Sequence, residues 1–251
     1  MDDMHIGGLD IGGTKIAAVV AGPDGPLIRL AQPTVKTGTE RALPEQAVAL
    51  LEAACAQAGV APDALQAIGV ASCGPFVTVD GMLNLATPNI CGGRTPDSGL
   101  PNDWVVIPLE KGLRERFAHV VIENDCVAAL VAERTFGAVQ DMADCVYVTW
   151  STGIGFGLCV DGRVLRGKHG NAGHAGHMLM SESDLAQCGC GNVGDVEALC
   201  SGRHLGERLN MTAADLFNAA RSGEPVAAEA VRRAAQWFGR ALYNLAATLD
   251  T

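Results

Sequence analysis

The sequence predicts an α/β protein built as two similar lobes facing a cleft. Two observations carry this reading. A strand, a glycine turn and a second strand open the chain at 6–21, and the same arrangement recurs from Cys145 through the small-residue turn at 151–155. Apolar residues at helical spacing come after each of these hairpins.

Residues 6–11 and 16–21 are apolar, β-branched runs around Gly12-Gly13 and read as a hairpin, with Asp24-Gly25 turning into a third strand at 26–30. Between Pro44 and Gly59, Ala47, Leu50, Leu51 and Ala54 repeat at helical spacing. Residues 67–73 form a buried strand by composition, ended by Gly74-Pro75, whereas 105–107 are too few to assign. A strand at 119–123 runs into Asn124-Asp125 and continues as a helix over 126–136. The second sheet starts at 145–149, and Asp161-Gly162 turns it into a further hairpin arm. From Glu197 onward the chain reads as helical, with a long amphipathic stretch over 227–249. The lobes are therefore expected at 1–136 and 137–251, divided within 136–144 near Gly137 and Asp141.

Composition narrows the function. The chain has 251 residues, 48% of them apolar, enough for one large core or two modest ones. No apolar run approaches the ~18 residues of a membrane span, and Met-Asp-Asp at the start carries no secretory pattern. Nine cysteines, an odd number and mostly scattered among Ala, Val and Leu, suit reduced thiols in the cytoplasm. A net charge of −10 argues against nucleic-acid binding through a basic surface and favours solubility.

Four segments carry chemistry. In Asp10-Ile11-Gly12-Gly13-Thr14-Lys15, missing Cβ atoms let backbone N–H groups approach an anion. Thr14 adds a hydroxyl, Lys15 a charge, and Asp10 a carboxylate for hydrated magnesium; a glycine hairpin without ligand is the plain alternative. It is not a Walker loop, since Thr14 stands at the lysine position, and Gly162–Lys168 is a decoy on a hairpin that continues to His169. Ser151-Thr152-Gly153-Ile154-Gly155 repeats the phosphate-turn chemistry in the second half. Asp125, where strand meets helix, is a candidate general base with Asn124 beside it to bond a hydroxyl; both residue types also serve as ordinary helix caps. His177, Cys188 and Cys190 offer one imidazole and two thiols for zinc, with Asp195 an acceptable fourth ligand. His174 is placed at substrate rather than metal, although the spacing allows either.

Together these segments, with Thr87-Pro88-Asn89 and the Cys-x-Cys-Gly loop, resemble the ROK family of repressors, uncharacterised frames and sugar kinases. The resemblance covers Leu9 to Asp250. It implies an actin-like, ribonuclease-H-like fold closing on ATP and a sugar, with Asp125 activating the sugar's 6-hydroxyl for attack on the γ-phosphate. It also implies sugar contacts from Asn89, Asn124, His174, His177 and Glu197 and a bracing zinc; composition, not the resemblance, is what leads us to expect no membrane partner. A homodimer is compatible with the resemblance. The activity implied is an ATP-dependent hexose kinase, glucokinase-like, with N-acetylmannosamine as the alternative acceptor. A sugar-responsive repressor and a silent sugar-binding module are the rivals from other classes; eight residues ahead of Leu9 are too few for a DNA-reading domain.

Three departures stand out. Asp195 replaces the family's usual third cysteine. His174 stands where glucokinases carry Glu, which resembles N-acetylmannosamine kinases. The chain stops at Thr251, where relatives continue with a strand and an adenosine-binding glycine turn, so impaired ATP binding is expected.

Overall fold

The computed structural model describes residues 4–94 and 99–250. They divide into two compact units, Met1–Ala128 with Gly167–Asn171, and Ala129–Arg166 with Ala172–Thr251.

In the first unit β1 (His5–Ile11), β2 (Lys15–Gly22) and β3 (Gly25–Pro33) form the expected antiparallel meander. On its other edge β1 pairs in parallel with β4 (Leu65–Ser72), which pairs in parallel with β7 (Val120–Asn124), giving the order β3-β2-β1-β4-β7. The register sets Ile11 level with Ser72, and Ser72 level with Asn124. Three parallel strands thus end together, and the loops that leave them collect at one edge of the sheet. That is where open α/β sheets bind ligands.

Helix α1 (Ala42–Ala58) buries Leu43, Ala47, Leu50, Leu51, Ala54 and Cys55 in the core beneath this sheet. Each fully buried large side chain contributes about 1.5–3 kcal/mol. The helix ends at Gly59, whose φ of 69° is the left-handed stop that glycine favours. The hairpin β5 (Phe76–Val79) and β6 (Met82–Leu85) was not among the sequence expectations; its turn is Asp80-Gly81, both at positive φ. Ile107 adds a single antiparallel bridge to Leu85, and α2 (Leu109–Arg114) comes next.

Helix α3 (Asp125–Phe136) begins in the first unit, but Leu130 packs in one cluster with Cys145 and Cys159. The second unit begins at Ala129, within this helix, and the division expected at 136–144 falls just beyond the helix. The second unit's sheet has β8 (Cys145–Trp150), β9 (Ile154–Val160) and β10 (Arg163–Val164). All its pairings are antiparallel, so its likeness to the first unit rests on the opening hairpin. Behind it lie α4 (Val196–Cys200), α5 (Gly202–Leu209), α6 (Ala213–Arg221) and α7 (Pro225–Leu249), with Asp195, Ser201, Thr212 and Glu224 capping them in turn. No helix among the described residues is long and apolar enough to cross a membrane. All nine cysteines are free thiols.

Gly173 and Gly176 decide how the 172–177 loop seats on β9, and a Cβ on Gly173 would fall 2.4 Å from the Phe156 carbonyl oxygen. A Cβ on Gly176 would collide with the Ile154 carbonyl oxygen, a backbone atom that cannot step aside. Gly176→Ala is therefore expected to destabilise the second unit by about 2–3 kcal/mol. Its thermal midpoint should fall by roughly 5–10 °C, and an unchanged melting curve would refute the packing described.

Candidate functional site

The end of the first sheet gathers three expected site elements, and the loop leaving β4, within one unit. The Gly12–Lys15 turn comes after β1, Cys73 to Pro75 come after β4, and Asn124-Asp125 close β7. The third expected element is the 87–91 loop: a Cβ on Gly13 would lie 3.0 Å from the Asn89 Cβ, so glycine permits the turn's close approach. The turn is pinned from behind, with the Thr34 hydroxyl donating to the Gly12 carbonyl at 2.7 Å and the Thr34 N–H to the Thr14 carbonyl at 3.0 Å. Gly12 differs from expectation in one respect: its own N–H donates to the Lys15 carbonyl and closes the hairpin. Thr14 and Lys15 are exposed.

Asp125 is exposed at the first residue of α3, and its Oδ1 accepts the Cys126 N–H at 2.9 Å. Asn124 is buried, and its Oδ1 accepts the N–H groups of Cys126 and Val127, so the cap reading holds for this residue. Its amide nitrogen is the end that would meet a hydroxyl. Partial desolvation, and then the charge of Asp125, push the Asp10 carboxyl above its ordinary range, while Arg29 and Lys15 pull it down. Two carboxylates that feel each other at a sheet end can share a divalent cation.

The second unit holds the other turn and the metal group. The Ser151 N–H donates to the Gly153 carbonyl, and the Ile154 N–H donates to Glu197 Oε2 at 2.9 Å. Glu197 thereby braces the turn. Gly153 admits that carboxylate, since a Cβ there would fall 2.5 Å from Oε2. Thr152 is exposed and Gly155 half-buried in β9. An open cavity of about 730 Å³ runs beside the turn, lined by Trp150, Ser151, Thr152, Gly202, Arg203, Ala213 and Phe217. Sequence reasoning missed it because its walls come from three separate segments. Trp150, placed at a strand end, was the local signal available.

His177, Cys188, Cys190 and Asp195 converge, their ligand atoms all within 4.8 Å of one another. His177 Nδ1 lies 3.1 Å from Asp195 Oδ2 and 3.6 Å from Cys188 Sγ, and Cys190 Sγ lies 3.5 Å from Asp195 Oδ2. Tetrahedral zinc with N, O and S ligands needs separations of about 3.3–3.8 Å, so the set fits such an ion. Asp195 is wholly buried and divides its oxygens, Oδ1 capping α4 through the Ala198 N–H and Oδ2 facing the group. Burial pushes both thiols up, so they need a cation to ionise. His174 stands outside the four, its ring edge-on to His177 at 6.1 Å.

Two α/β units, each carrying a glycine-turn hairpin, place the chain in the actin-like class of folds. Residues 6–251 match the ROK family model. The chain is 34% identical to the N-acetylmannosamine kinase of Shigella boydii, over 96% of this chain and 78% of that one. It is 35% identical to a ROK hexokinase of Thermus thermophilus, with a TM-score of 0.77, covering 98% of this chain and 79% of that structure. A ROK glucokinase of Streptomyces griseus, solved with glucose and AMPPNP, is 30% identical at a TM-score of 0.74, covering 98% and 80%. The chain belongs to the ROK family, and its fold is that of the actin-like ATPases.

Proposed function

We propose that this chain transfers the γ-phosphate of ATP to the 6-hydroxyl of a hexose, with glucose as the first acceptor. It is an ATP-dependent sugar kinase; the acceptor and the residue roles are the proposal. The observation that carries it is the exposed Asp125 carboxylate at the sheet end that also bears the phosphate turn and Asn89. Asp125 takes the hydroxyl proton as the sugar oxygen attacks the γ-phosphorus. The bond from that phosphorus to the β-phosphate oxygen breaks, ADP leaves, and the proton passes from Asp125 to solvent.

Positioning supplies the remainder. Asn89 and the Asn124 amide are read as contacts to acceptor hydroxyls, and so are His174, Glu197 and the far nitrogen of His177. Gly13, Thr14 and Lys15 hold phosphate, the Ser151–Gly155 turn offers the same backbone chemistry, and Gly12 shapes the first of these turns. Asp10 would hold hydrated magnesium, whose charge offsets that of the phosphates. His177 Nδ1, Cys188, Cys190 and Asp195 would hold zinc as a brace for the loop that carries His174.

The aromatic cavity suits the adenine base, between Trp150 and Phe217. Phe217→Ala is expected to raise KM for ATP about tenfold, with the sugar KM within about twofold of the wild type. Equal changes in both constants would remove the base from this cavity.

N-acetylmannosamine is the second reading, favoured by His174 and by the 34% identical kinase of S. boydii. ADP release measured against a panel of glucose, mannose and N-acetylmannosamine tests the function. A preferred hexose supports a kinase, and no release with any of them supports a silent binding module.

A further inference from the structure

The segment leaving β3 touches both halves of the chemistry proposed for the first unit. Thr34 holds the phosphate turn through the Gly12 and Thr14 carbonyls. Two residues on, the Lys36 ammonium donates to the Asn89 carbonyl at 2.6 Å, and the Lys36 carbonyl accepts the Asn102 carboxamide at 3.0 Å. The same Asn102 nitrogen donates to the Ile90 carbonyl, and its Oδ1 accepts the Gly92 N–H. Asn89 itself is exposed and leans on Gly13. Its loop is therefore fixed by one charge-assisted bond from Lys36 and a set of neutral bonds through Asn102.

We propose that Lys36 is a positioning residue for sugar binding: it clamps the acceptor loop at Asn89 against the phosphate turn. This rests on the reading of Asn89 as a sugar contact. Among these bonds the Lys36 one has an ionised donor, the class that is shorter and stronger than neutral pairs. Burial lowers the affinity of Lys36 for its proton because the ammonium has lost part of its water. Cys73 and Cys91 are the titratable groups that act on it.

The test compares Lys36→Met, Lys36→Arg and Asn89→Ala with the wild type, reading glucose and N-acetylmannosamine binding by calorimetry, kcat at saturating sugar, and KM for ATP. Lys36→Met keeps the aliphatic stem and is expected to weaken sugar binding about tenfold, with kcat and the ATP constant changed less than about threefold. Lys36→Arg restores most of the affinity, since a guanidinium can donate to the same carbonyl. Combining Lys36→Met with Asn89→Ala adds little beyond Asn89→Ala alone. If Asn89→Ala weakens sugar binding and Lys36→Met does not, the clamp is wrong while the acceptor loop stands. If Asn89→Ala leaves sugar binding intact, or if neither sugar binds the wild-type chain, the acceptor-loop reading fails and takes the clamp with it. An Arg variant as weak as the Met variant would also overturn the clamp, because a merely structural loss of the lysine would not need the charge.

Discussion

Asp125→Asn lowers kcat for sugar phosphorylation by roughly 10³-fold while sugar affinity stays within about threefold. The asymmetry comes from where the side chain sits. Asp125 is exposed at the first residue of α3, and one of its oxygens already accepts the Cys126 N–H. Asparagine can keep that bond and its place at the helix start, so the fold is expected to survive. What it cannot do is take a proton from a hydroxyl at neutral pH. The loss therefore belongs in turnover rather than in binding, and isothermal titration beside a coupled ADP assay separates the two. Near-normal kcat in a folded variant would show that another group serves as base.

Cys188→Ser with Cys190→Ser removes the metal. About one zinc per chain is expected in the freshly purified wild type, and near none in the double variant. The remaining pair, His177 and Asp195, cannot hold zinc tightly. The consequence should spread along the chain, because Asp195 also caps α4 and Glu197, two residues on, accepts the Ile154 N–H of the second turn. A thermal midpoint lower by roughly 5 °C or more is expected, with weakened sugar binding through the His174 loop. Metal analysis by mass spectrometry checks the first point and calorimetry the second. A metal-free wild type, or a double variant that keeps its zinc, would contradict the assignment.

Some of this architecture was legible from residues alone, for local reasons. The β1–β2 hairpin shows because apolar β-branched runs flank Gly12-Gly13, and α1 shows because its buried positions repeat with helical period. The metal group shows because Cys-x-Cys among glycines brings two sulfurs together with little chain between them. The β5–β6 hairpin was hidden by the brevity of its strands, although Asp80-Gly81 marks its turn. The unit boundary within the continuous helix α3 was hidden because Leu130 is one apolar residue among several, and its packing on Cys145 and Cys159 is not visible in the sequence. The cavity beside Trp150 and the bonds of Lys36 and Asn102 join residues far apart in sequence, and no periodicity announces such pairs.

Gly12 and Glu197 show a subtler limit. Residue type placed Gly12 near the site and the family resemblance placed Glu197 there, but hydrogen bonding divides their duties: Gly12 closes its own hairpin, and Glu197 carries the N–H of Ile154. A motif names the neighbourhood of a side chain, whereas the partner of each polar atom comes from the folded chain.

The most direct measurement is the position of phosphate on the product. Protein, ATP, magnesium and the preferred hexose are incubated, and phosphorus–proton correlation spectra are recorded on the sugar phosphate formed. Coupling of the new phosphorus to the two protons on C6 is the result expected here. Coupling to the anomeric proton, or ADP formed without any phosphorylated sugar, would contradict it.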